Sequence, residues 1–193
     1  MKTGVLGGTF DPFHCGHLYI ATELIKRKVV DNVCLVPTYS HAHKTDEKIT
    51  DFNIRLEMLE IAVKNEKKIL ISDIESRMEK PSYTYKTLKK LSEFSENDFY
   101  LIIGKDQLWN FNKWYKWKEI SQEFKIIVFD REINQTDIQP DFLENLLYTE
   151  ILSDKIQISS TDIREKVKCG KSIKGLVPEV VEKYILKNGL YKQ

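Results

Sequence analysis

Residues 7–17 read GGTFDPFHCGH. The chain has 4 histidines, and two of them, His14 and His17, fall in this stretch behind a pair of glycines. A hydrophobic core has no use for such a cluster, whereas a bound polyphosphate does. Gly7 and Gly8 allow a sharp turn and a close backbone approach to a ligand. Thr9 adds a hydroxyl. An Asp-Pro step sets up a helix behind it. The N-terminus of that helix favours an anion through its free N–H groups and its dipole. His14 and His17 are three apart, so in a first helical turn they share a face. Two imidazoles there suit a phosphate whose charge rises during reaction. The competing use is a metal site from His14, Cys15 and His17, although no matching His/Cys group follows it.

A second polar segment, ISSTDIR, occupies residues 158–164. Ser159, Ser160 and Thr161 are cap residues, and Arg164 follows one helical turn later. This is either simple capping or a second helix N-terminus for phosphate, with Arg164 as a charge-assisted donor.

Both segments need a scaffold. The 193 residues are near the size of one ordinary domain, and 41% hydrophobic with 31% charged residues reads as soluble and globular. A net charge of +1 gives no bulk reason to invoke nucleic acid or a membrane surface. No apolar run approaches a membrane span, and no cleavable signal pattern opens the chain. Cys15, Cys34 and Cys169 are an odd, unspaced set, pointing to reduced thiols in a cytoplasm.

Strands are expected at 2–6, 33–37, 69–74, 99–103, 125–129 and 155–158. Helices are expected at 17–28, from Asp51 to about 63, at 84–94, through the Trp-rich stretch after Gly104, at 160–167 and after Pro178, closing at Gly189. Residues 132–150 are the least readable. Alternating strands and helices predict an α/β fold: a doubly wound, Rossmann-like parallel sheet with helices on both faces. Ligands of such sheets sit beyond the carboxyl ends of the strands. Gly7-Gly8, the loop after Pro37, Gly104-Lys105-Asp106 and Ser159–Thr161 lie at such ends and are expected to converge.

GGTFDPFHCGH resembles the HxGH signature of the nucleotidyltransferase superfamily, and ISSTDIR resembles its second signature, ISSTxxR. The segments PSYTYKTLKKL (81–91), GKDQLWNFNKWYKWKEI (104–120), VEKYILKNGLY (181–191), AHK (42–44) and RLEMLEIA (55–62) are similar to the bacterial nicotinate-mononucleotide adenylyltransferases. The resemblance covers nearly the whole chain and implies a single nucleotidyltransferase domain over 1–193, with a C-terminal helical portion from about 160. Three departures stand out. Residues 41–44 read HAHK where the family has PPHK, residues 104–106 read GKD for GAD, and Arg131-Glu132-Ile133 replaces Arg-Pro-Gly.

The resemblance implies that a mononucleotide phosphate attacks the α-phosphorus of ATP, releasing pyrophosphate, with Mg²⁺ on the triphosphate. It implies His14, His17, Lys44 and Arg164 as the catalytic set. On the ATP side it implies Gly7, Gly8, Thr9, Phe10, Gly104, Asp106, Ile158, Ser159, Ser160 and Thr161. On the mononucleotide side it implies Gly8, Thr9, His43, Lys44, Tyr83, Thr84, Tyr85, Asp106, Trp114 and Trp117. Trp114 and Trp117 are either the clamp of a pyridine ring or core residues. Asp106 is either a ribose acceptor or a helix cap. The amides that open the helix at Thr84–Tyr85 are placed to hold a carboxylate. Two other readings remain. One is a related enzyme of this fold with another acceptor, such as nicotinamide mononucleotide, phosphopantetheine or the substrate of a cytidylyltransferase. The other is a nucleotide-binding module without turnover.

Overall fold

The computed structural model describes residues 1–40, 49–130, 140–152 and 158–192. Six parallel strands form one sheet: β1 (Lys2–Gly8), β2 (Asn32–Pro37), β3 (Ile69–Ile71), β4 (Asp98–Gly104), β5 (Lys125–Asp130) and β6 (Tyr148–Leu152). Their order across the sheet is β3-β2-β1-β4-β5-β6. The chain winds outward from β1 in one direction and then, from β4, in the other, so the carboxyl ends of β1 and β4 border the switch-point crevice.

Apolar residues alternate across these strands and feed two cores. Leu6, Val33, Leu35, Ile102 and Ile127 face α1 (Cys15–Lys26) and α2 (Phe52–Val63) through Ile20, Leu24 and Leu59. Val5, Cys34, Val36, Leu101, Ile103 and Val128 face the opposite layer. That layer is α3 (Thr84–Glu93), α4 (Lys105–Leu108) and α5 (Trp117–Glu123), which contribute Leu88, Leu108 and Ile120. Burial on both faces is why the central strands carry near-continuous apolar runs. A third cluster joins α2 to α6 (Ser160–Lys168) and α7 (Glu179–Asn188) through Met58, Ile163, Val167, Val181 and Ile185. Asp51 caps α2 by accepting from the Asn53 amide, and Gly189 closes α7 at φ 62°.

Three expected boundaries change. The strand expected over 69–74 stops at Ile71, and Ile74–Arg77 forms a 3₁₀ turn instead. The last strand is Tyr148–Leu152, which begins in the stretch that sequence patterning left unread and runs two residues past it. The strand expected at 155–158 falls outside the described residues except for Ile158, which is in no strand. The Trp-rich stretch is not one helix: α4 ends at Leu108, a 3₁₀ turn spans Phe111–Lys113, and α5 begins at Trp117.

Candidate active site

Strand β1 runs straight into the glycine pair, and the chain then turns through Thr9–Phe13 into α1. Phe10 sits at φ 52° and is buried. Its ring lies over Gly8, where an added Cβ would meet it at 3.0 Å. At Gly7 an added Cβ would meet nothing within 4 Å, so that glycine keeps open space beside the backbone.

His14 is the N-cap of α1. The His17 amide donates to His14 Nδ1 at 3.4 Å, and the His14 amide donates to His17 Nδ1 at 3.3 Å. The two rings stack with centroids 3.6 Å apart. A ring nitrogen that accepts from an amide carries no proton, so in both neutral rings Nε2 is the N–H donor. His14 is buried, while His17 faces the cleft with Phe10 edge-on at 4.9 Å. No acidic residue occupies the first turn of α1, which leaves its positive end unopposed.

Helix α6 meets this loop from the far end of the chain. The Ser160 hydroxyl donates to the Pro12 carbonyl at 2.9 Å, and Arg164 Nη1 donates to the Asp11 carbonyl at 2.9 Å. Ser159 is the cap, accepting from the Asp162 amide at 3.0 Å.

Two chambers open over the carboxyl ends of the strands. The first, about 420 Å³, is lined by Gly7, Gly8, Thr9, Phe10, His17, Gly104, Asp106, Ser160, Thr161 and Arg164, among others. The second, about 590 Å³, is lined by Gly7, Gly8, Thr9, Tyr83, Thr84 and Trp114, among others. They share Gly7-Gly8-Thr9 and Gln107, so the glycine turn is the wall between them. The first chamber carries hydroxyls, an imidazole and a guanidinium, the donor set for a polyphosphate. The second carries aromatic rings and the N-terminus of α3. That helix has no side-chain cap bond and no acid in its first turn. Among the described residues no side chain caps its first amides, which suits them to an anion.

The chain thus resembles known proteins in more than its motifs. The family model described as cytidylyltransferase-like matches residues 5–166. The probable nicotinate-nucleotide adenylyltransferase of Clostridium tetani is 36% identical over 99% of both chains. The nicotinate-nucleotide adenylyltransferase of Bacillus subtilis is 35% identical over 99% of this chain and 98% of its own. The chain belongs to the nicotinate-nucleotide adenylyltransferase family. Its fold is also that of the Plasmodium falciparum nicotinic acid mononucleotide adenylyltransferase solved with NaAD: TM-score 0.82 at 24% identity, covering 98% of this chain and 97% of that one.

Against the residues expected for this family, the structure divides. It gathers Gly7, Gly8, Thr9, Phe10, His17, Gly104, Asp106, Ser160, Thr161 and Arg164 at one chamber and Tyr83, Thr84 and Trp114 at the other. His14 lines neither chamber and stacks on His17. Ile158 and Ser159 line a separate hollow with Asp162, Glu165 and Leu176. Asp106 lines the first chamber but not the second, and its carboxylate lies over Gly104, where any Cβ would collide with it. Trp117 is not a wall of either chamber; it packs against Phe111 and Phe142 at ring separations of 6.2 and 5.6 Å. The Tyr85 side chain points elsewhere, its hydroxyl donating to Glu123 at 3.1 Å, and only its backbone belongs to the α3 N-terminus. His43 and Lys44 lie outside the described residues, as do the HAHK and Arg131-Glu132-Ile133 departures. The third departure is answered locally, because Lys105 pairs with Glu150 on β6 at 3.0 Å.

Four supporting residues escaped sequence reasoning. Gln107 accepts from the Gly104 amide and borders both chambers. Arg55 is buried and donates to the carbonyls of Thr9, Thr38 and Thr50 at 2.6, 2.9 and 2.8 Å. Burial lowers its pKa, and the Asp11 charge opposes that shift. Glu75, also buried, accepts from the Thr87 hydroxyl at 2.8 Å and the Tyr39 amide at 3.1 Å. Tyr115 lies 4.6 Å from Tyr83, ring to ring, at the second chamber. Each sits in a segment whose periodicity already explains it as helix or turn, so nothing in the spacing marks it.

Proposed function

We propose that this protein transfers the adenylyl group of ATP to nicotinate mononucleotide, giving nicotinate adenine dinucleotide and pyrophosphate in NAD biosynthesis. The observation that carries this is the pair of chambers joined over Gly7-Gly8-Thr9, one equipped for a triphosphate and one for an aromatic acid. ATP enters the first and the mononucleotide the second, and their phosphates meet at the shared wall.

The acceptor phosphate is already anionic near neutral pH. Its oxygen bonds to the α-phosphorus as the bond to the pyrophosphate oxygen breaks, so no general base is required. What remains is in-line positioning and neutralisation of the departing charge. His17 offers its Nε2–H, and α1 the positive end of its dipole. Arg164 supplies fixed positive charge, and His14 holds the His17 ring. Lys44 and His43 are assigned to phosphate and acceptor by resemblance.

Mg²⁺ is expected with the triphosphate. Among the described residues no three His, Cys, Asp or Glu side chains gather as a metal cluster. The oxygens of Asp106 and Thr161 at the first chamber nevertheless fit a hard cation held chiefly by phosphates and water. Asp106 and Thr161 would be its protein contacts, and the ion would add charge neutralisation on the leaving pyrophosphate.

The acid, rather than the amide, is favoured by the α3 N-terminus. Amides there donate to a carboxylate, but they leave a carboxamide NH₂ without an acceptor. A site that leaves such a group unpaired can discriminate by several powers of ten. Free Cys15, Cys34 and Cys169 support a reducing, cytoplasmic setting, and no described helix is long and apolar enough to cross a membrane.

The test is to incubate the protein with ATP, Mg²⁺ and a panel of mononucleotides, measuring pyrophosphate and dinucleotide. Nicotinate mononucleotide should give the highest kcat/KM, well above nicotinamide mononucleotide. Equal values, or a preference for the amide, would refute the carboxylate role of the α3 N-terminus.

A further inference from the structure

The Asp11 carboxylate is 2% exposed and lies in the loop between the glycine turn and His14. Burying an acid there demands donors, and among the described residues two reach it from outside the loop. The Thr50 amide donates to Oδ2 at 3.1 Å, and the Tyr191 hydroxyl donates to Oδ1 at 2.6 Å. Tyr191 is third from the end of the chain. It stands beyond the Gly189 cap of α7, at φ 63°, a region costly for an aromatic residue unless its surroundings hold it. Its ring packs on the α2–α6–α7 core. Burial and the Asp11 charge raise the phenol pKa well above its ordinary value, so Tyr191 remains a donor throughout the working pH range.

The same residue, Asp11, meets the chemistry through its main chain. Its carbonyl receives Arg164 Nη1 at 2.9 Å, and the next carbonyl, of Pro12, receives the Ser160 hydroxyl. One peptide segment is therefore gripped from the side-chain direction by the chain terminus and from the backbone direction by α6. We propose that Tyr191 is a positioning residue for the ATP site: bonded to Asp11, its hydroxyl sets the loop carbonyl against which Arg164 is aimed into the triphosphate chamber. This rests on the reading of that chamber as the ATP site and names a tail residue as part of its construction. A charge-assisted bond between residues 180 apart in sequence is well suited to the task, since its short geometry fixes the position of both partners.

The test compares Tyr191→Phe with Tyr184→Phe in the full chain. Tyr184 also carries a phenol bonded to a carboxylate, donating to Glu57 at 2.6 Å, but it ties α7 to α2 without touching the loop. Phe at either position keeps the ring packed. MgATP affinity is measured by calorimetry without the second substrate, so the result does not depend on which acceptor the enzyme uses. Turnover with nicotinate mononucleotide is measured alongside. Tyr191→Phe should weaken MgATP binding and raise the KM for ATP on the order of tenfold, while the KM for the mononucleotide stays within about twofold. Tyr184→Phe should leave both within about twofold. In an Arg164→Ala background, Tyr191→Phe should change MgATP affinity no further, because the group it aims is gone. Unchanged ATP affinity in Tyr191→Phe overturns the proposal. So does an equal loss in the two Phe variants, a full additional loss in the Arg164→Ala background, or failure of Tyr191→Phe to fold, which would make the tail a structural strut.

Discussion

Two imidazoles stacked 3.6 Å apart at the start of a helix do two jobs at once. Each Nδ1 accepts from the other residue's backbone amide, so the pair caps the helix and fixes the two rings against each other. His17 faces the chamber and His14 does not, so the two are not equivalent. His17→Ala should leave the fold intact and lower kcat by a factor on the order of 10²–10³, the usual cost of one preorganised electrostatic contact. Circular dichroism confirms folding and pyrophosphate release reads the rate. Near-normal turnover in a folded variant would remove His17 from the phosphate site.

At the scale of elements, the broken helix after β4 decides which tryptophan lines the second chamber. Ending α4 at Leu108 and starting α5 at Trp117 places Trp114 on the connection, at the mouth of the second chamber. Trp117 turns to Phe111 and Phe142 instead. The two should separate on mutation. Trp114→Ala should raise the KM for nicotinate mononucleotide about tenfold or more through a lost aromatic contact, with little effect on ATP. Trp117→Ala should cost about 2 kcal/mol of stability, below the figure for a fully buried ring, and leave both KM values near wild type. Denaturant titration together with steady-state kinetics distinguishes them. A KM effect confined to Trp117→Ala would reverse the assignment.

Across the whole molecule, a buried thiol and a hydrogen-bonded phenol set the alkaline limit. Burial pushes the Cys34 thiol from 9.0 up to about 12. The Glu57 hydrogen bond, chiefly, raises the Tyr184 phenol from 10.0 to about 12. In both, the folded pKa lies above the unfolded one, so the folded chain keeps its proton longer than the unfolded chain does. The stability this contributes is complete below about pH 9 and declines as pH rises toward 12. The melting temperature should fall steadily from pH 9 upward, and a flat profile to pH 11 would contradict the two assignments. Thiol reagents at pH 8 should label exposed Cys169 rapidly and buried Cys34 only after unfolding.

Much of this architecture was legible in the residues themselves. Buried strands need apolar runs, helices need a 3.6-residue stripe and caps, and a phosphate needs glycines, amides and cations. Those requirements are local, so β1, β2, β4, β5 and the N-termini of α1 and α6 could be read from short windows. Strand β6 could not, because an edge strand buried on little of its length, YTEIL, carries almost no apolar signal. Nor could the division of the crevice into two chambers, the removal of Trp117 from the site, or the carbonyls gathered by Arg55. The bond from Tyr191 to Asp11 belongs with these. Each depends on residues brought together from distant parts of the chain, and no periodicity encodes a partner 180 positions away. Residue type and spacing determined which groups this chain brings to its loops; tertiary packing decided which side chains line the two chambers and which hold those in place.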